Sequence, residues 1–287
     1  MGEDSFYKKT IRGNRTDHLL WQKERLLTML ADDVVSKTDY KYLAWVDADV
    51  LFQNPTWVKD ACDKLEDYMV IQTFDSASLL DHDLNVKQIP EEYYGLPQRH
   101  LSAIKYWELT GSDTQRPVNL GGPPKSQCGF AWASCREFFE QLGMEERNVF
   151  GDSDSFMLAA LTGGEPFFNV HIHNCMGPGT VSAFNDYKDS LRKLASDLGK
   201  DLVSCSKGAL YHLQHGSLAG KQYVDRLTMI REGRYDCFMD IQKDKNGLFS
   251  LTDSATPKLR ENLIKYFNDR EEDQFINNYE LLETTKL

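Results

Sequence analysis

The stretch that decides the fold is Tyr42-Leu43-Ala44-Trp45-Val46-Asp47-Ala48-Asp49, five apolar residues followed by two aspartates at positions i and i+2. A continuous apolar run is typical of a strand buried on both faces of a parallel sheet. Asn54-Pro55 predicts the start of a helix that runs to about Leu65, because asparagine is a favoured N-cap and proline a favoured first helical residue. Met69 to Phe74 predicts the next buried strand. Strand, helix and strand in succession indicate a βαβ unit and an α/β fold.

The rest of the chain alternates between helical and strand patterns. Apolar residues recur at three- and four-residue spacings in the first helix, and glycines mark several helix ends. The predicted helices are Leu19 to Val35, Arg136 to Leu142, Ser153 to Leu161, Lys221 to Arg231 and Thr256 to Phe267. The further predicted strands are Gly129 to Ala133 and Ala209 to Leu213.

The region from Asp75 to Lys125 interrupts this alternation. It contains Pro90, Pro97 and Pro117 and the run Gly121-Gly122-Pro123-Pro124. A long irregular segment inside a compact domain is more often functional than accidental, since ordering it costs entropy. We find no internal repeat and no low-complexity linker. The simplest division is one domain over 1–287, with an irregular insertion at 75–125 and a C-terminal helical extension at 256–287.

Composition excludes several classes of protein. The chain has 287 residues, 41% hydrophobic and 27% charged, which does not fit a disordered chain, a fibre or a stapled mini-protein. Its net charge of −11 opposes binding to a phosphate backbone, so we expect no nucleic-acid partner. No apolar run approaches the ~20 residues of a membrane span.

The polar stretch Met1 to Thr16 has no apolar signal core, which predicts a cytoplasmic protein. The six cysteines form no Cys-x-x-Cys pair and are expected to be free thiols.

The two aspartates after the first predicted strand are the sharpest chemical feature. The carboxyl end of a strand in an open α/β sheet is where such folds bind ligands. Two carboxylates placed there need a compensating cation, and oxygen ligands suit Mg²⁺ or Mn²⁺. The alternative is a strand-end turn in which Asp47 and Asp49 are simply solvated.

Two further motifs could complete a cation site. His212 and His215 lie three residues apart at the end of a predicted strand, and Gly216 permits the turn that would let both imidazoles reach one ion. An ordinary pair of core or surface histidines is the alternative. Asp152 and Asp154 begin a predicted helix, where an aspartate is commonly an N-cap but can also serve as a general base in a cleft.

Taken together, these residues resemble the glycosyltransferases of the GT-A fold, in particular galactosyltransferase-like members of a microbial and viral branch. The resemblance extends from about Leu19 to Asp273. It rests on four blocks: Asp47-Ala48-Asp49 as the Asp-x-Asp motif, Gly129-Phe130-Ala131-Trp132-Ala133 as the acceptor-side strand, Gly151 to Met157 as the acidic helix start, and His212-x-x-His215-Gly216 as the C-terminal histidine motif. Two other stretches, Trp21 to Arg25 and Tyr266-Phe267 with Arg270 to Asp273, are similar to the microbial and viral branch.

The resemblance implies a mixed, mostly parallel sheet flanked by helices and a transfer of sugar from a nucleotide-diphosphate donor to a carbohydrate hydroxyl, with inversion. It implies that Asp49, His212 and His215 bind Mn²⁺ or Mg²⁺ and that Asp47 contacts either the ion or the donor ribose. Gly129 falls in the donor site.

The catalytic base of the family falls on Asp154, with Asp152 as the second candidate. The aromatic residues Tyr93, Tyr94, Tyr106 and Trp107 are candidates for sugar contacts, or else pack the insertion onto the sheet. The chain departs from the family at its start, where the strand, helix and strand that help bind the nucleotide base are short or missing.

Two other functions are open. Asp47 to Leu51 also resembles the nucleophile motif of haloacid-dehalogenase-like phosphatases, and 151–154 resembles their magnesium-binding loop. Asp47 would then be a covalent nucleophile, Asp49 its acid/base and Lys125 a charge partner. That hypothesis gives the histidine motif no role. The third candidate is a catalytically silent carbohydrate-binding protein, suggested by the short N-terminal region.

Overall fold

The structure is a computed structural model that describes residues 10–14, 17–81, 83–86, 100–111, 126–163, 176–213 and 225–270. Within these ranges the chain is a mixed α/β protein. Its helices are α1 (Lys23–Lys37), α2 (Trp57–Leu65), α3 (Ala103–Thr110), α4 (Arg136–Gln141), α5 (Ser153–Thr162), α6 (Pro178–Asp197), α7 (Asp225–Gly233) and α8 (Pro257–Asp269). Its strands are β1 (Tyr42–Val46), β2 (Val50–Phe52), β3 (Tyr68–Gln72), β4 (Ser76–Leu80), β5 (His100–Ser102), β6 (Ser126–Gln127), β7 (Ala131–Cys135), β8 (Asp201–Cys205), β9 (Ala209–Leu213), β10 (Ile241–Lys243) and β11 (Phe249–Leu251).

The first larger sheet has four strands in the order β1-β7-β3-β8. Strand β7 is antiparallel to both β1 and β3, and β8 is parallel to β3. The strands β1 and β3 therefore run in the same direction, as a βαβ unit requires, but β7 lies between them. The second larger sheet has five strands in the order β2-β9-β4-β5-β6, with parallel pairs β4–β9 and β5–β6. The strands β10 and β11 form a separate antiparallel pair.

The predicted α/β class with mixed pairing is confirmed, but three details of the prediction are wrong. The described strands form separate sheets, and three of the seven pairings in the two larger sheets are parallel, so the pairing is not mostly parallel. Tyr42–Val46 is not buried on both faces: β1 is an end strand of its described sheet, and Val46 is 41% exposed. Trp45 packs on Phe138 and Phe139 of α4, whereas Ala44 and Val46, which alternate with it along the strand, are exposed.

The predicted irregular insertion at 75–125 is also wrong for its described part, which contains β4, β5 and α3. Helix α3 has a standard N-cap, in which the Ser102 hydroxyl accepts a hydrogen bond from the Lys105 N–H, and it ends at Gly111 with φ +66°. The longest described helix, α6, and the strand β8 that follows it are absent from the sequence prediction.

A large hydrophobic cluster packs the helices against the four-stranded sheet. Trp132 of β7 and Phe138 of α4 belong to it, together with Leu259, Leu263 and Tyr266 of α8. Helix α8 is thus part of the core rather than an appended extension, although 271–287 lie outside the described residues. Each of the five described cysteines is a free thiol. Among the helices that the structure describes, none combines the length and the apolar character needed to cross a membrane.

Candidate active site

Four short segments connect strands of one larger sheet to strands of the other. They are 47–49 between β1 and β2, 73–75 between β3 and β4, 128–130 between β6 and β7, and 206–208 between β8 and β9. We call these four segments the junction. Because β1, β3 and β8 run in one direction and β7 in the other, all four segments lie along the same edge of the four-stranded sheet. The junction therefore gathers the Asp-x-Asp motif, Gly129 and the segment before β9 in one place.

The pairing of β2 with β9 brings an acid and an imidazole together. Val50 lies opposite His212 in this antiparallel pair, and the Leu213 N–H donates to the Asp49 carbonyl at 2.8 Å. The Asp49 Oδ2 and the His212 Nε2 are 3.0 Å apart. The Phe130 ring stacks on the imidazole at 4.4 Å between centroids. Two residues separated by more than 160 positions in sequence, both predicted as site residues, thus contact each other directly.

Asp47 contacts a lysine from the first turn of α1. The Lys23 Nζ is 2.5 Å from the Asp47 Oδ1, and the Asp47 N–H donates to the Phe130 carbonyl at 2.7 Å. Burial opposes the charge of Lys23, but the Asp47 carboxylate and, more weakly, Asp154 outweigh it and raise the lysine pKa. Lys23 therefore stays protonated and supplies positive charge to the junction.

Asp154 lies directly over Gly129. A Cβ added to Gly129 would be 2.8 Å from the Asp154 Oδ2, too close without a shift of that carboxylate, and 3.9 Å from the Asp47 Oδ2, an ordinary contact. Burial and then the neighbouring Asp152 charge raise the pKa of Asp154, while Lys23 and Arg226 oppose this shift. The result is a carboxylate that is more basic than an ordinary aspartate and adjacent to the Asp-x-Asp motif.

Asp152 has a different environment from Asp154. Its Oδ1 is 2.6 Å from an amino group of Arg226 in α7 and accepts a hydrogen bond from the Ser155 hydroxyl at 2.6 Å. The Arg226 side chain is only 6% exposed. Asp152 also has φ +78°, an unusual backbone conformation for a residue with a side chain. A carboxylate held in this way is suited to fixing the start of α5.

Trp21, before α1, and Arg270, after α8, meet beside Asp152. The Arg270 guanidinium lies over the Trp21 ring at 4.5 Å from its centroid and hydrogen-bonds to the Tyr266 hydroxyl. Gly151 packs against the same tryptophan, since a Cβ at this position would lie 3.3 Å from two Trp21 ring atoms. This cluster holds the N-terminal end of α1 against the C-terminal end of α8.

Sequence reasoning assigned no chemical role to Lys23, Glu24 or Arg226. Glu24 is 5% exposed, and burial raises its pKa to about 7. A signal for Glu24 was available, since it falls four residues after Leu20 and three before Leu27, which places it on the apolar face of α1. Lys23 and Arg226 gave no local signal, because their acidic partners come from distant segments.

Several predicted residues cannot be placed. His215, Lys125, Tyr93 and Tyr94 lie outside the described residues. Trp107, predicted as a candidate sugar contact, packs against the main hydrophobic cluster. Within the described ranges, no group of three or more histidine, cysteine, aspartate or glutamate side chains is close enough to hold a metal ion. Of the four predicted metal ligands, Asp49 and His212 are the two that the described part of the chain shows in contact with each other.

Comparisons with known proteins do not assign the chain to a family. No protein-family profile matches it, and searches of curated proteins and of solved structures find no significant match.

Proposed function

We propose that the protein is a metal-dependent glycosyltransferase that moves a sugar from a nucleotide-diphosphate donor to an acceptor hydroxyl with inversion. The observation that carries this proposal is the 3.0 Å contact between Asp49 and His212 at the junction. Asp47 in the same junction and Asp154 at the start of α5 both approach Gly129. Donor-binding acids and a candidate base therefore lie in one cluster, as the resemblance to GT-A enzymes requires.

The Asp49–His212 pair fits a divalent cation. Carboxylate oxygen and imidazole nitrogen are both good ligands for Mn²⁺, and the carboxylate suits Mg²⁺. The Asp49 Oδ2 and the His212 Nε2 are 3.0 Å apart, within hydrogen-bond distance, and an ion bound by both atoms would replace this direct contact. Asp49 and His212 would hold the ion with Asp47 nearby, and His215 is the proposed further ligand. When bound, the ion supplies positive charge to the leaving diphosphate.

Asp154 is the proposed general base. Burial and the charge of Asp152 raise its pKa, which makes it a better proton acceptor than a solvated aspartate. It would accept the proton of the acceptor hydroxyl as the oxygen attacks the anomeric carbon. Asp152 is held by Arg226 and Ser155, so we assign it to positioning α5.

The phosphatase alternative gains no support from the described residues. It uses Asp47 and Asp49 as nucleophile and acid/base and gives His212 no role, whereas His212 contacts Asp49 directly. The catalytically silent alternative predicts carbohydrate binding without any response to nucleotide sugars, so the experiment below separates it from the proposal.

The test is calorimetric titration with uridine and guanosine diphosphate sugars, with and without Mn²⁺, followed by transfer assays with the donor that binds. We expect Mn²⁺-dependent binding by the wild type and its loss in Asp49→Ala. Asp154→Asn should bind the donor normally and lose about 10²–10⁴-fold in transfer. Asp253→Asn, at an exposed carboxylate outside the junction, is the matched control and should behave as wild type.

Three outcomes would contradict the proposal. Turnover of simple phosphate esters with Mg²⁺ would favour the phosphatase. Carbohydrate binding without any response to nucleotide sugars would favour the silent binder. Near-normal transfer by Asp154→Asn would show that another group accepts the proton.

A further inference from the structure

We propose that Lys23 is a second cationic group for the donor diphosphate and that it exchanges its contact with Asp47 for a phosphate oxygen when the donor binds. This inference rests on the proposed function and names a residue that the resemblance does not assign. It follows from the charge distribution at the junction and from the geometry of the Lys23–Asp47 pair.

The acidic residues of the site would repel an anionic donor. Asp47, Asp49, Asp152 and Asp154 place four carboxylates at or beside the junction. A diphosphate brought to this place adds further negative charge, and one divalent ion does not offset all of it. An additional positive group that can reach the diphosphate would lower this repulsion.

Among the described residues, Lys23 forms an ion pair with Asp47 and Arg226 forms one with Asp152. Arg226 is buried and is held by Asp152 at 2.6 Å, so moving it would leave a largely buried carboxylate without its counter-charge. The Lys23 side chain is 43% exposed, and its partner Asp47 is 30% exposed. Both side chains are partly exposed, so exchanging the Asp47 contact for another anion costs less than breaking the buried Arg226–Asp152 pair.

The side chain of lysine suits a change of partner. Its ammonium group is carried on a flexible four-carbon stem and has three donors, so it can move between acceptors without any change in the backbone. Asp47 belongs to the Asp-x-Asp motif, which lies next to the proposed cation. A cation bound there would neutralise Asp47 and so release Lys23, which makes binding of the ion and binding of the diphosphate by Lys23 mutually supportive.

Inorganic pyrophosphate is the probe, because it carries the diphosphate chemistry without a nucleoside or a sugar. Its affinity is measured by calorimetry in the presence of Mn²⁺ for the wild type, Lys23→Met, Lys23→Arg and Lys59→Met. We expect Lys23→Met to weaken binding by about tenfold or more, the loss of one charge-assisted hydrogen bond, and Lys23→Arg to stay close to wild type. Lys59→Met is the matched control, since Lys59 also pairs with an aspartate on an exposed helix face but lies in α2.

A second measurement tests the exchange itself without metal. Asp47→Asn removes the competing partner of Lys23 and should raise the metal-free affinity for pyrophosphate, and adding Lys23→Met should cancel that gain. This readout does not depend on turnover, and the exposed position of Lys23 makes loss of folding in the variants unexpected.

The outcomes separate this inference from the proposed function. If the wild type binds nucleotide sugars with Mn²⁺ but Lys23→Met binds pyrophosphate as tightly as wild type, or if the wild type binds no pyrophosphate, the role of Lys23 is wrong and the transferase proposal stands. If the wild type binds neither probe, both fail. A gain from Asp47→Asn that survives Lys23→Met would also overturn the exchange.

Discussion

The substitution Gly129→Ala tests the site with a single added methyl group. The new Cβ would lie 2.8 Å from the Asp154 Oδ2, so the carboxylate must retreat by about 0.6 Å to reach an ordinary contact distance. A displacement approaching 1 Å of a catalytic group costs up to about 10²-fold in rate. We therefore expect kcat to fall by roughly ten- to one hundred-fold.

The stability of the Gly129→Ala variant should change little. The atom that the methyl group meets is the end of a side chain, and replacing glycine with alanine lowers the conformational entropy of the unfolded chain. Gly199→Ala gives the opposite signature and serves as the control. No atom lies within 4 Å of its added Cβ, but its φ of +66° strains an alanine, so this variant should lose about 1 kcal/mol of stability and keep its activity.

The assay combines thermal unfolding, donor titration with Mn²⁺ and single-turnover transfer for Gly129→Ala, Asp154→Asn and the double variant. If Gly129 acts through Asp154, the two effects are not additive, and the double variant should be about as slow as Asp154→Asn alone. Additive losses, or a Gly129→Ala variant with wild-type kcat, would refute the placement of Asp154 as the base above Gly129.

Two further predictions concern stability. Glu24 has a folded-state pKa of about 7, above its ordinary value of 4.5, so its contribution is complete below about pH 4.5 and is lost as the pH rises towards 7. Urea unfolding at pH 4 and pH 8 should show that Glu24→Gln gains up to about 3 kcal/mol relative to wild type at pH 8 only, and an equal effect at both values would contradict this. The Asp236 carboxylate accepts a hydrogen bond from the Gly179 N–H at 2.6 Å, at the start of α6. Asp236→Ala should cost about 1 kcal/mol at neutral pH, and an unchanged unfolding midpoint would show that this cap contributes nothing.

The elements predicted correctly are those with strong local signals. Gly163, with φ +83°, ends α5 as the sequence indicated, and the apolar run Ala209–Leu213 is a strand with the predicted bounds. Helix α6 has a signal that the prediction did not use, since its buried residues Phe184, Tyr187, Leu191 and Leu194 recur at three- and four-residue spacings. Its N-terminal cap could not be predicted locally, because Asp236 comes from a distant segment. The residue pattern of a strand does not show whether its neighbour runs parallel or antiparallel to it. The prediction of a parallel sheet for β1 is therefore wrong, since its described partner β7 is antiparallel.

Residues of the candidate site were also predictable only where the signal in the sequence is local. Asp47 and Asp49 could be selected from sequence because their spacing at a strand end suits metal and phosphate chemistry. Lys23 and Arg226 could not, because each is defined by an ion pair across many residues, with Asp47 and Asp152 respectively. Charges that compensate a buried or clustered carboxylate commonly come from elsewhere in the chain, so a local motif identifies the acids and leaves their partners open.

Backbone strain at and beside the junction supports the proposed site by a separate argument. Four described residues other than glycine have positive φ, and two of them, Phe130 and Asp152, flank Gly129 and the start of α5. Such conformations cost about 1–3 kcal/mol each and persist where the surroundings enforce them. Here Phe130 stacks on His212 and its carbonyl accepts the Asp47 N–H, while Asp152 is held by its ion pair. A fold selected for stability alone gains nothing from strain at these two positions, whereas a site that must hold several carboxylates at fixed separations does.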